Sequence, residues 1–185
     1  ALTSINNHII IDHNNYYLSF LQDMFPYFEK YGLINVLPDI ISRIELLMNE
    51  KESTINELDK ALLLDYKVWL LLSKKEYDNT IKKYNKAIRL VENYHNLNEI
   101  SARSANLLSN IYNNLSCALM LKDKKEDATY TLKKAFSIRK DFSYLGIMER
   151  NDTLQQTFHM VKQSLSLKDY ITAENILQFA LDIIT

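Results

Sequence analysis

Asparagine side chains recur within residues 106–121, which read NLLSNIYNNLSCALML, and their amides are well suited to bind another polypeptide. A carboxamide has both a donor and an acceptor, so it can pair with the N–H and C=O groups of an extended peptide backbone. The same amide competes with the backbone for hydrogen bonds and makes asparagine a mediocre helix former. Four such residues in an otherwise helical run therefore need an explanation.

The asparagines of this run share one stripe of a helix with an arginine just before the run and a cysteine within it, opposite an apolar face, when residues are placed about 100° apart. The stripe comprises Arg103, Asn106, Asn110, Asn113, Asn114 and Cys117. We therefore expect the asparagines to point away from the core. Two interpretations stay open, because asparagine is abundant in the whole chain: a ligand-binding surface, or a merely solvated face.

Apolar residues at three- and four-residue spacing predict an all-α chain. The composition of 2 Gly and 2 Pro agrees, since it leaves little turn chemistry for β-hairpins. The predicted helices span about 14–30, 33–49, 54–73, 77–96, 99–121, 125–139, 150–167 and 169–184. Thr54 with Glu57, and Asp123 with Glu126, resemble capping boxes at two helix starts. The segment around Gly146 is either a loop or an early start of the seventh helix.

Three segments repeat one pattern: YDNTIKKYNKAI, KEDATYTLKKAF and YITAENILQFAL, which begin at Tyr77, Lys125 and Tyr170. A small residue is followed four positions later by a large one and seven positions later by alanine. These columns are Thr80, Ala128 and Ala173, then Tyr84, Leu132 and Leu177, then Ala87, Ala135 and Ala180. The pattern is typical of the second helix of a tetratricopeptide repeat, where neighbouring helices approach closely.

A fourth unit fits at the front of the chain, with Gly32 at its turn and Leu37, Ile41 and Ile44 in the three columns. The sequence thus predicts one domain over 1–185, a right-handed superhelical solenoid of about eight helices in four tetratricopeptide-like pairs. The units are about 14–49, 54–96, 99–139 and 150–184.

Several classes of function find no support in the sequence. A net charge of −1 offers no basic face for nucleic acid, and the most apolar stretch, ALLLDYKVWLLL, is too short and too charged to span a membrane. A single cysteine excludes an intramolecular disulfide and agrees with a reducing, cytoplasmic setting. The four histidines are dispersed without the spacing of metal ligands, and no glycine-rich loop is present. We therefore predict no catalytic residues, metal or cofactor, and expect that the protein is not an enzyme.

The first helix of each pair lines the concave groove of a tetratricopeptide solenoid, so the asparagine stripe is predicted to face that groove. Candidate side-chain pockets and charges lie on the other first helices. They are Asp65, Trp69 and Leu72 in the second unit and Phe158, His159 and Lys162 in the fourth. Simpler interpretations remain for several: Arg103, Asp65 and Lys162 as solvated charges, Trp69 as part of the core, and Cys117 as a small half-buried thiol.

The enlarged, degenerate repeats with asparagines on their first helices resemble the C-terminal domain of the Rgg/PlcR group of peptide-responsive transcription regulators. The Ile, Lys, Asn and Tyr bias of the sequence fits the AT-rich genomes of the low-GC Gram-positive bacteria that carry this group. The resemblance implies a cytoplasmic receptor for a short linear signalling peptide, usually a homodimer. DNA binding would then need an N-terminal helix-turn-helix domain, which we expect to be absent from these 185 residues. The alternatives are a generic tetratricopeptide scaffold or adaptor and a relative of peptide-regulated response-regulator phosphatases.

Overall fold

The protein is helical throughout the part that the structure, a computed structural model, describes: Tyr27 and residues 31–49, 56–146 and 148–185, which contain no strand. A 3-10 helix, Leu33–Val36, leads into α1, Leu37–Asn49. The helices that follow are α2 (Glu57–Ser73), α3 (Tyr77–Leu97), α4 (Ala102–Leu121), α5 (Lys125–Tyr144), α6 (Arg150–Ser166) and α7 (Tyr170–Ile184). The predicted all-α class is confirmed for these residues. The helix predicted at 14–30 lies outside them, apart from Tyr27.

The helices pack as three successive hairpins, which are α2 with α3, α4 with α5, and α6 with α7. Each hairpin also packs on the next, through α3 against α4 and α5 against α6, and α2 contacts α4 directly. Aliphatic and aromatic side chains from all three hairpins and from α1 form one buried cluster. The first helices of the hairpins, α2, α4 and α6, carry all the residues predicted to bind a ligand.

The three hairpins share one turn. Lys75, Asp123 and Lys168 adopt the left-handed conformation, with φ of 63°, 57° and 61°, and each lies two residues before the second helix. The amide of the following residue donates to a carbonyl five residues earlier in all three, as from Glu76 to Leu71. This is the Schellman motif, which satisfies the last carbonyls of the first helix and reverses the chain.

The second helices begin at the residues that head the aligned segments: Tyr77, Lys125 and Tyr170. Both small-residue columns are buried in all three hairpins, and the predicted columns of the front unit, in α1, are buried as well. The large-residue column is wrong in the last hairpin, because Leu177 is exposed and its neighbour Ile176 is buried instead.

Two predicted helix starts differ from the structure. Helix α2 is capped by Asn56, whose side chain accepts from the amide of Asp59, and Glu57 is its first residue. Thr54, the other member of the predicted capping box, lies outside the described residues. Helix α5 has Lys124 at its N-cap without a side-chain cap, because Asp123 is the left-handed residue of the preceding turn and does not cap α5.

Two other boundaries differ from the prediction. Helix α4 begins at Ala102, where Ser101 and Ser104 bond reciprocally to each other's backbone amides. Helix α5 continues to Tyr144, past the predicted end at 139, and Gly146 then turns the chain with a φ of 70°. The ambiguous segment is thus the end of α5 and a short connection to α6. The extension matters because it places residue 139 inside a helix.

Candidate functional site

Side-chain contacts join the three first helices. The Arg103 guanidinium on α4 lies 2.9 Å from a carboxylate oxygen of Asp59 on α2. About three turns further along α4, Asn114 Nδ2 donates to Asp65 Oδ1 of α2 at 3.3 Å. Between α6 and α4, Gln163 Nε2 donates to the backbone oxygen of Asn113 at 3.4 Å. Individual polar contacts therefore connect α2 with α4 and α4 with α6.

The amides of Asn106 and Asn110 hold a buried arginine. Arg139 of α5 has no exposed surface, and it donates to Asn110 Oδ1 at 3.0 Å and to Asn106 Oδ1 at 3.3 Å. Its charge faces Asp152 at the start of α6, with 3.5 Å between Nη1 and Oδ2. Burial lowers the pKa of Arg139, and the Asp152 carboxylate opposes that shift. Its Nε is buried and makes no hydrogen bond within the described residues.

The arginine fixes the orientation of both amides. A guanidinium can only donate, so the oxygen of each carboxamide must face it and the nitrogen must point elsewhere. The Nδ2 groups of Asn106 and Asn110 make no hydrogen bond within the described residues, and both side chains are half-buried. Two amide donors are therefore held in place with their hydrogens available to a ligand carbonyl.

The remaining asparagines of the stripe differ from each other. Asn114 is half-buried and contacts Asp65. The expectation that all four point away from the core is wrong for Asn113, which is 8% exposed with a buried Oδ1 that makes no hydrogen bond within the described residues. The backbone oxygen of Asn113 accepts from Gln163 of α6, so this side of the stripe faces a neighbouring helix.

Asp65 lies in a polar cluster that also contains Tyr84, Asn114 and Cys117 and spans α2, α3 and α4. Desolvation raises the pKa of Asp65 to about 7, opposed by the Asn114 hydrogen bond, although its side chain is only half-buried. Burial likewise raises the pKa of Cys117 to about 11 and that of Tyr84 well above its usual value. The surrounding protein thus disfavours the ionised form of the Asp65 carboxyl group.

The other predicted residues spread along the first helices. On α2, Trp69 and Leu72 are half-buried, and Trp69 packs against the core. On α6, Phe158, His159 and Lys162 are exposed on one side of the helix. Arg103 is engaged by Asp59 and so is not a free cation for a ligand carboxylate.

The sequence interpretation missed Arg139, Asp152, Gln163 and the hydroxyl of Tyr84. A signal for Arg139 was present, because it occupies the repeat position that holds Val91 in α3 and Ile184 in α7. An arginine in an apolar column indicates a buried charge that needs partners on neighbouring helices. With the helix predicted to end at 139, Arg139 was its last predicted residue and received no role.

Within the described ranges, no three His, Cys, Asp or Glu side chains lie close enough to hold a metal ion. No helix there has the length and apolarity needed to cross a membrane. An open depression of about 370 Å³ lies over α5, lined by Lys125, Glu126, Thr129, Tyr130 and Lys133, away from the first helices.

Comparison with known proteins gives a likeness of fold. No protein-family model and no curated protein matches the chain. Among solved structures, it is similar to the crystal structure of BtubC (BKLC) from P. vanneervenii, with a TM-score of 0.61 and 17% identity. The match covers 84% of this chain and 58% of that chain, so this chain spans little more than half the length of its structural neighbour. At this identity the likeness shows the helical fold alone.

Proposed function

We propose that this chain is a tetratricopeptide-like solenoid that binds a short linear peptide along its first helices. The proposed groove surface consists of the half-buried or exposed side chains Asp65, Trp69, Leu72, Asn106, Asn110, Asn114, Cys117, Phe158, His159 and Lys162. The repeated Schellman turns and the sequential packing of hairpins support the solenoid, because each unit contacts mainly its neighbours.

The observation that carries the proposal is the fixed orientation of Asn106 and Asn110. Their oxygens face Arg139, so each presents an amide donor toward the surface shared by α4 and its neighbours. Prepared donors reduce the ordering cost that a peptide backbone would otherwise meet on binding. A solvated face would not need a buried guanidinium behind it.

Hydrogen bonds alone do not provide useful affinity. Each contributes about 0.5–1.5 kcal/mol, whereas micromolar binding needs about 8 kcal/mol. Apolar contacts must supply the difference, and α6 offers Phe158 and Leu165, which are 53% and 48% exposed. Phe158 lies one helical turn before Lys162, and Leu165 lies one turn after it. We therefore expect a peptide with alternating or clustered apolar side chains to fit this surface best.

The wider proposal is a cytoplasmic, homodimeric transcription regulator whose DNA-binding domain is encoded before Ala1. Peptide binding would then change the curvature of the solenoid or the geometry of the dimer. The coding sequence upstream of Ala1 tests this part directly. A helix-turn-helix domain there is expected, and an upstream sequence without one would reduce the proposal to a peptide-binding scaffold.

Peptide binding is tested with a library of synthetic apolar heptapeptides, titrated calorimetrically against the full protein and two variants. Phe158→Ala removes an exposed aromatic from a first helix, and Tyr130→Ala removes one from the depression over α5. We expect Phe158→Ala to weaken binding about tenfold and Tyr130→Ala to leave it unchanged. The reverse pattern, or no binding by any peptide at millimolar concentration, would overturn the proposal.

A further inference from the structure

Asp65 is a partly buried carboxylate without a cation beside it. Within the described residues, its hydrogen-bond partner is the neutral amide of Asn114. Several other buried or half-buried carboxylates have a cation within 3.5 Å, although Glu57, like Asp65, has none within the described residues. The paired carboxylates include Asp59 with Arg103, Asp152 with Arg139, and Asp169 with Lys133. A desolvated carboxylate normally needs such a partner, and Asp65 has none among the described residues.

The hydroxyl of Tyr84 is the second unsatisfied group at this place. Tyr84 is completely buried, and its hydroxyl makes no hydrogen bond within the described residues. Asp65, Asn114 and Cys117 all lie close enough to influence its pKa, so the hydroxyl belongs to their cluster. The hydroxyl has almost no exposed surface, so it belongs to the cluster without itself contacting a ligand.

The other titratable groups of this cluster are Tyr84 of α3 and Cys117 of α4. Burial raises the pKa of both, so they stay protonated at neutral pH. Asp65 is thus the titrating group of this cluster.

We propose that Asp65 and Asn114 form a subsite for the ammonium group of a bound peptide. An ammonium has three N–H donors, and the two half-buried side chains offer it the Asp65 carboxylate and the Oδ1 of Asn114 as acceptors. Asn114 turns its nitrogen to Asp65, which leaves its oxygen without a hydrogen bond in the described structure. The inference rests on the proposed function, since it assigns the charge of the peptide held there. The ammonium can belong to the peptide N-terminus or to a lysine side chain.

Three probes distinguish these sources: Leu-Leu-Leu-amide, acetyl-Leu-Leu-Leu-amide and acetyl-Lys-Leu-Leu-amide. Binding is followed by the fluorescence of Trp69, the single tryptophan, which lies one helical turn after Asp65. At pH 7.5 we expect at least one cationic probe to bind about tenfold more tightly than the neutral one. Preference for the first probe identifies the N-terminus, and preference for the third identifies lysine.

The preference should depend on pH and on Asp65. Because the pKa of free Asp65 is about 7, lowering the pH from 7.5 to 6 protonates it and should remove most of the cationic preference. Asp65→Asn should abolish that preference, so that the cationic and neutral probes bind about equally. Asp78→Asn, on the exposed start of α3, is the matched control and should behave as the wild type.

Carbon-13 NMR of the carboxyl groups adds a measurement that no folding defect can imitate. Adding a cationic probe to the wild type should lower the pKa of Asp65, because the bound cation favours the ionised form. Equal binding of all three probes, with no change in that pKa, would overturn the subsite and leave the proposed function standing. Failure of every probe and every apolar heptapeptide to bind would overturn the proposed function itself.

Discussion

The buried guanidinium of Arg139 explains why two asparagines occupy a helix that would form more readily without them. A fully buried charge is costly, and here Asp152 and the oxygens of Asn106 and Asn110 share the task of compensating it. The oxygen of each amide therefore compensates the guanidinium, and its nitrogen stays available for a hydrogen bond to a ligand. The two interpretations left open by the sequence, ligand binding and mere solvation, both missed this first role.

The role of Asn110 is testable by a double-mutant cycle. Asn110→Ala removes an acceptor and leaves a buried guanidinium N–H unpaired, which should lower the free energy of unfolding by about 1–3 kcal/mol. In the Arg139→Met background, the same change should cost clearly less, because no guanidinium remains to be satisfied. Urea denaturation measures all four proteins.

The control is Asn93→Ala, an exposed asparagine on α3 whose removal should change stability by less than about 0.5 kcal/mol. An equal cost of Asn110→Ala in both backgrounds would show that the amide does not act through Arg139. A cost no larger than that of Asn93→Ala would lead to the same conclusion.

At the scale of the element, hydrophobic periodicity predicted the helices because each buries a continuous apolar stripe. The repeat alignment even located the first residues of α3, α5 and α7. Capping was predicted poorly, since Asp is common both at N-caps and at left-handed turn positions. Asp123 occupies the second kind of position. The end of α5 was predicted at 139, whereas the helix continues to Tyr144. Arg139 was therefore not recognised as a residue inside the helix, although it is central to the site.

The three Schellman turns place non-glycine residues in a conformation that favours glycine. Lys75 has a φ of 63°, whereas the residue before it, Lys74, has a φ of −84°. Lys75→Gly should therefore raise the free energy of unfolding by about 0.5–1 kcal/mol, because glycine relieves the steric cost of the left-handed region. Thermal and urea denaturation provide the measurement.

Lys74→Gly serves as the matched control, because it changes the same residue type one position earlier without any left-handed strain. It should lower stability, since glycine loses more conformational entropy on folding. If both substitutions were to destabilise the protein equally, the turn geometry would not be what limits stability at this hairpin. Lys168→Gly repeats the experiment in the last hairpin, where φ is 61°.

At the scale of the whole molecule, one face of α7 has no helix packed against it within the described residues. In α3, the side chains of Tyr84, Ile88 and Val91 are buried, on the helix against which α4 packs. The same register positions in α7 hold Leu177, Leu181 and Ile184, which are 43%, 55% and 53% exposed. Successive units otherwise cover each other, so this stripe is where the proposed homodimer would most naturally form.

The dimer prediction is tested by Leu177→Asp combined with Leu181→Asp. Both side chains are exposed, so the charges should leave the helical content and the unfolding temperature nearly unchanged while disrupting an apolar interface. We expect the wild type to sediment as a dimer at micromolar concentration and the double variant as a monomer. Leu121→Asp, at an exposed leucine at the end of α4, controls for charge and should remain dimeric. A monomeric wild type at 100 μM would show that the proposed dimer does not form through this face. A double variant that stays dimeric would exclude this face as the interface, because an apolar contact cannot bury two carboxylates without a large loss of affinity.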